Sequence, residues 1–273
     1  MPVQDRAAYE NALAVLKADT VQDKQLTAQK LEKDWHDTRQ LGAPITSLND
    51  RPARPTRPKL VSPGEVPRRR LGSEQGRAAL LHAVAHIELN AIDLAADMIC
   101  RFGPSPIILE QDRHDFISDW VQVCADEARH FGMLNKRLAD LGQTYGDLPA
   151  HDGLWDAAIA TQSDIAARLA IAPMVLEARG LDVTPSMIEK LQHVGDYKSA
   201  DLLKIIYTDE IDHVAAGARW FKYVAKSLKL QPVSLYHTLV ETHFTGKLKP
   251  PFNVQARDMA GLFERYYKPL SLR

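Results

Sequence analysis

Residues 126–130 read Asp-Glu-Ala-Arg-His and residues 209–213 read Asp-Glu-Ile-Asp-His, so the chain spells Asp-Glu-x-x-His twice. On a helix, side chains three apart lie on one face with β-carbons roughly 5–6 Å apart. A Glu and a His at that spacing can bind one metal ion from a single helix. One pair means little, because twelve glutamates and ten histidines in 273 positions give about 0.4 such pairs by chance. Two pairs, each inside a long stretch of helical periodicity, demand more. The text around them decides the matter. Glu88 is the only glutamate between Glu74 and Glu110, and Glu177 the only one between Glu127 and Glu189. The chain order is thus Glu88, Glu127 with His130, Glu177, Glu210 with His213. Four-helix bundles that hold two carboxylate-bridged metal ions use this arrangement, two helices each giving a Glu and two each giving a Glu-x-x-His.

The charges fit as well. Four ionised glutamates and two neutral imidazoles balance two divalent cations. Without metal, four carboxylates inside one bundle would be untenable, and some would have to protonate. Asp126 and Asp209 precede the two glutamates. A metal-bound His usually donates its other ring N–H to a carboxylate, so Asp126 is a candidate to orient His213 and Asp209 to orient His130. Arg129 is an alternative partner for either aspartate.

Outward from these motifs the chain reads as all-α. Ser73 is a plausible N-cap for a helix carrying Leu80, Leu81, Val84, Ile87, Ala91 and Leu94 and ending near Gly103-Pro104. A second long helix is predicted from about Pro106 or Asp112 to Leu141-Gly142. A third runs from Leu154 to Ala178 or Arg179, kinked or divided at Pro173, with Gly180 as its stop. After a turn at Asp182–Pro185 a short helix is expected over Met187–His193, and a fourth long helix over Ser199–Leu228. No stretch alternates as strands do. Four segments follow: an amphipathic helical segment at 1–41, a Pro- and Arg-rich extended arm at 42–72, a four-helix bundle at 73–230, and a helical tail at 231–273. The tail is expected to hold helices over Val233–His243 and Ala256–Tyr267. In the arm, six of the sixteen prolines remove backbone donors and favour extended geometry.

Composition narrows the function classes. A net charge of −1 gives no global attraction to nucleic acid or an anionic membrane. Two cysteines, Cys100 and Cys124, exclude a disulfide scaffold and a cysteine-rich metal site, and they suit a reducing compartment. The start has no signal pattern and no run of eighteen apolar residues occurs, so a cytoplasmic protein without a membrane partner is expected. Other clusters read as structural: His82 and His86 lack a third ligand at metal spacing, and His86 and Glu88 stand about 200° apart around a helix. His237 with Glu241 is similar. Tyr207 is a core tyrosine or a redox neighbour of the metals.

At these residues the chain resembles a known family. Val61–Ala95, Asp126–Phe131 (DEARHF), Leu176–Asp182 (LEARGLD), Asp209–Phe221 (DEIDHVAAGARWF) and Pro251–Arg257 (PFNVQAR) are similar to the bacterial ferritin-like family called domain of unknown function 455. More distantly the chain looks like the diiron tRNA hydroxylase acting on isopentenylated adenosine, and DEARH is similar to the ligand motif of soluble acyl desaturases. The resemblance implies a ferritin-like bundle with a dimetal site on the six residues named. It supplies no substrate.

Three functions compete on this reading. The first is a dimetal oxidoreductase, its two ions being iron, manganese or a mixed pair, that activates dioxygen and hydroxylates or desaturates a small molecule or modified nucleoside, with an electron-donor protein as partner. The second is a ferroxidase or metal-handling protein. The third is a binding module, with Arg51–Arg70 contacting RNA and the metal site structural, although such arms more often strap onto their own domain. A homodimer is compatible with each.

Overall fold

A computed structural model of the chain describes residues 7–66 and 71–271, and within them the only β-type pairing is an isolated bridge between Leu60 and Ala150. The fold is all-α. Eleven α-helices occur among the described residues: α1 (Ala8–Lys17), α2 (Val21–Thr38), α3 (Glu74–Asp97), α4 (Glu110–Asp140), α5 (Gly153–Ala160), α6 (Ile165–Ile171), α7 (Ala178–His193), α8 (Tyr197–Ser227), α9 (Pro232–His243), α10 (Val254–Met259) and α11 (Glu264–Ser271). Two compact units divide between Trp155 and Asp156, and α5 crosses the division. The predicted basic run at Arg68–Arg70 lies outside the described residues, as does the N-terminal hexapeptide.

In the first unit α3 packs along α4, and α1 and α2 cover the pair. Side chains cap two helix starts in this unit, and Ser73 is the one the sequence places. Thr20 accepts from the Asp23 N–H, and Ser73 from the Gly76 N–H. Beyond Asp97 the helix widens into a π turn over Met98–Phe102 before Gly103. The stretch Glu74–Phe102 is long and apolar enough to cross a membrane, but 78% of its apolar window is buried inside the protein, as expected of a core helix. Cys100 and Cys124 are buried free thiols whose pKa values burial pushes up. The arm lies on its own unit. Ala53 N–H donates to Leu16 O at 2.8 Å, Val61 N–H to Ala150 O at 2.8 Å, and Trp155 Nε1 to Asp50 O at 2.8 Å.

The second unit corrects the third-helix reading. Four pieces replace the helix expected from Leu154 to Gly180: α5, then α6 after its Asp164 cap, a π turn over Ala172–Glu177 at the expected Pro173 disturbance, and α7, which runs through Gly180 and Pro185 to His193. No turn separates off a helix at Met187. Pro185 removes the N–H that would bond the Leu181 carbonyl, four residues back. The Asn253 side chain supplies that donor instead, Nδ2 to Leu181 O at 3.1 Å, so α7 continues. Burial of Leu181 and Ile188 on one stripe holds it in place. The helix expected over Ala256–Tyr267 is likewise two, α10 and α11, because Gly261 at φ +69° takes a left-handed turn between them.

Pro173 opens the π turn by withholding its own N–H from the ladder, and it presses on α8. A Cβ built at Gly217 would stand 2.4 Å from both Cβ and Cγ of Pro173. Gly217→Val is therefore expected to lower stability by about 1–3 kcal/mol, the usual cost of overpacking a close contact. Urea unfolding checks this, and an unchanged midpoint would mean the two segments part without cost.

Candidate metal centre

The first unit assembles half of the predicted ligand set. Glu88 on α3 and the pair Glu127 and His130 on α4 bring ligand atoms within 4.8 Å of one another. His130 Nδ1 lies 3.1 Å from Glu88 Oε2 and 3.5 Å from Glu127 Oε2. All three are buried, Glu88 at 2% exposure and the other two at 0%. Ile87, the residue before Glu88, is exposed at 47%, because one residue turns a helix through about 100°. Val123 is buried beside the α4 ligands as its spacing requires.

Burial dominates the electrostatics here. It raises the Glu88 pKa well above the carboxylate range, and the Glu127 charge beside it raises it further against the pull of His130. Burial alone would lower His130, but hydrogen bonds to Glu127 and Glu88 outweigh it and raise the imidazole. Two carboxyls this close in a dry environment resist joint ionisation, and His130 answers by holding a proton between them. A divalent cation would remove the same conflict. Hard oxygen donors with one imidazole form a donor set that iron or manganese accepts.

The second unit repeats the motif. On α8, His213 Nδ1 lies 3.8 Å from Glu210 Oε2, close to the 3.5 Å of the α4 pair. His213 is buried, and one Glu210 carboxylate oxygen is buried with its Nδ1. Glu177 ends the π turn, which packs against α8, and one of its carboxylate oxygens is also buried. Val175 and Val214 are buried on the same elements. A π turn inserts an extra residue into a helical repeat, so every side chain after it shifts face, and such turns recur at functional sites.

The model of one protein family, described as a protein of unknown function (DUF455), matches residues 17–268. The chain belongs to this family. It is also 42% identical over 207 residues to an uncharacterized protein of Haemophilus influenzae, covering 76% of this chain and 72% of that protein. No solved structure matches. The family match begins at Lys17, the last residue of α1, and spans all six candidate residues from Glu88 to His213.

The remaining candidates have identifiable partners. Asp126 is engaged within α4, its Oδ1 by Arg129 at 2.5 Å and its Oδ2 by Gln122 at 3.1 Å, so the Arg129 alternative is realised. Asp209 stands one residue before Glu210 on α8. His82 accepts from the Gly146 N–H at 2.9 Å, and His86 Nδ1 meets the Tyr145 hydroxyl at 2.8 Å, both as hydrogen-bonding residues. His237 Nε2 contacts the carbonyls of Arg265 and Tyr266. The Tyr207 hydroxyl accepts from Asn253 Nδ2 at 2.8 Å, which ties it to the PFNVQAR stretch. That stretch is an internal clasp: Asn253 caps α10 and Arg257 reaches buried Asp182 through two hydrogen bonds of 2.7 and 2.8 Å. Its Asp182 partner lies 75 residues away, a separation no local pattern reports.

Proposed function

We propose that this DUF455 chain is a ferritin-like dimetal oxidoreductase of the cytoplasm, holding two divalent ions, iron or manganese, on Glu88, Glu127, His130, Glu177, Glu210 and His213. The observation that carries the reading is the repetition. Each compact unit offers one lone glutamate and one helical Glu/His pair with Nδ1 turned towards its own glutamate, at 3.5 and 3.8 Å. Solvated helix faces would not bury Glu88, Glu127, His130 and His213, nor half-bury Glu177 and Glu210. A pair of redox-active ions, when bound, supplies the capacity to reduce dioxygen and oxidise a C–H bond. The chain's own residues do the rest. Glu88 and Glu127 provide the anionic charge that selects a cation, and His130 must surrender its proton before it can ligate. The buried apolar side chains Val123, Val175 and Val214 keep water away. Buried free thiols fit the reducing compartment.

The test is oxygen reactivity. Protein loaded with ferrous iron is expected to consume dioxygen, and to do so repeatedly when supplied with reductant and an organic substrate of the hydroxylase type. Dioxygen uptake that stops after stoichiometric iron oxidation, whatever organic compound is offered, would instead establish the ferroxidase reading. No uptake would remove both.

A further inference from the structure

Away from the ligand residues, the arm and α3 enclose a second polar site inside the first unit. A cavity of about 50 Å³ is lined by Arg54, Leu60, His86, Asn90, Asp93 and Tyr145, among others. Three of these carry a buried polar atom that makes no hydrogen bond: Nη2 of Arg54, Nε2 of His86 and Oδ1 of Asn90. His86 and Asn90 are 6% and 2% exposed. Buried polar atoms rarely go unmatched, so three around one cavity ask for an occupant.

The chemistry of that occupant follows from which atoms give and which receive. Asn90 Nδ2 donates to the His86 carbonyl at 2.6 Å, which fixes the amide and leaves Oδ1 as an acceptor. The Tyr145 hydroxyl meets His86 Nδ1, and donating its proton there leaves Nε2–H as a donor. Arg54 spends Nη1 on Asp152 at 2.6 Å, keeping Nη2 as a charged donor.

Charge selects further. Lys24, Arg51, Arg54, Arg57 and Arg101 stand against Asp93, Asp97, Asp147 and Asp152, an excess of one positive charge. Both Asp93 oxygens face cations, Oδ1 at 2.6 Å from Lys24 Nζ and Oδ2 at 3.9 Å from Arg54 Nε. Since one water needs roughly 10–15 Å³ on this measure, the space holds about three to five non-hydrogen atoms.

We propose that this cavity binds a small monoanion with a hydroxyl next to its oxyanion, the oxyanion on Arg54 and His86 and the hydroxyl donated to Asn90. Bicarbonate and glycolate share that chemistry and are the probes. Titration calorimetry on the full chain is expected to show one of them binding with a dissociation constant of about 1 mM or tighter. Acetate, which lacks the hydroxyl, is expected to bind about tenfold more weakly, the worth of a hydrogen bond made to a buried group. Arg54→Gln is expected to abolish binding. Because Arg54 also anchors Asp152, Asn90→Ala provides the second variant, expected to reduce glycolate or bicarbonate to the acetate level. Glu127→Ala is expected to leave binding intact, which separates this cavity from an anion caught on bound metal. Failure of both probes to bind at about 10 mM, equal affinity for acetate, or indifference to Asn90→Ala would each overturn the proposal and leave a cavity filled with water.

Discussion

Replacing Glu127 and Glu210 together by alanine is expected to take bound metal from about two ions per chain to none, since each position belongs to one Glu/His pair. Elemental analysis of protein purified without chelator measures it. Retention of about two equivalents would refute the ligand set. Stability should move in a way that a merely damaged core would not imitate. The metal-free variant should lose stability by breaking the buried Glu127–His130 contact, and beyond that loss the thermal stabilisation that the native chain gains from added manganese should vanish in it.

The same electrostatics fix a pH dependence. Burial and Glu127 keep Glu88 protonated through the neutral range, and His130 is raised by its two carboxylate partners and carries a proton as well. Both protons must leave before these atoms can ligate. Metal affinity should therefore rise with pH, by about tenfold per unit for each proton released. Proton release measured in weakly buffered solution on adding manganese checks the count. Release of no protons at neutral pH would show that the triad is already ionised without metal.

How far the sequence could be read depends on how local each cause is. The helix start at Ser73 was legible because an N-cap acts within three residues. The two Glu-x-x-His pairs were legible because i, i+3 geometry is a property of any helix. The π turn before Glu177 was only half legible. Pro173 announced a disturbance, but its form depends on the close approach of Gly217, 44 positions on. Gly180 and Pro185 looked like punctuation because propensity is computed as though the helix stood alone; the Asn253 amide satisfies the carbonyl that Pro185 orphans, and the helix survives. The cavity at Asn90 and Arg54 stayed hidden for the same reason. Arg54 reads as one member of a basic run, and only the folded chain shows it carried over α3 beside His86.

Lys24 gives the plainest case of a long-range pair, and its loss is expected to cost about 3–5 kcal/mol, as for other buried ion pairs broken on one side. Its ammonium is 0% exposed on α2 and meets Asp93 of α3 at 2.6 Å, with the Val15 carbonyl as a second partner at 3.2 Å. Even with Lys24 in place, burial raises the Asp93 pKa to about 6, against the lowering pull of Lys24 and Arg54. The folded state thus binds the Asp93 proton more tightly than the unfolded chain does, and stability from this group falls as pH rises from about 4 to 6. Lys24→Met removes the largest opposing charge, so the carboxyl should stay protonated to higher pH and the penalty at neutral pH should grow. Acid should then rescue the variant. Its deficit in urea unfolding is expected to shrink as pH drops below about 6, where native and variant both carry a neutral Asp93. Pairing Lys24→Met with Asp93→Leu should recover most of the lost stability at every pH, because no charge remains to be buried alone. A Lys24→Met deficit that ignores pH, or a double variant as unstable as the single one, would show that Lys24 acts by filling space between α2 and α3 rather than by balancing Asp93.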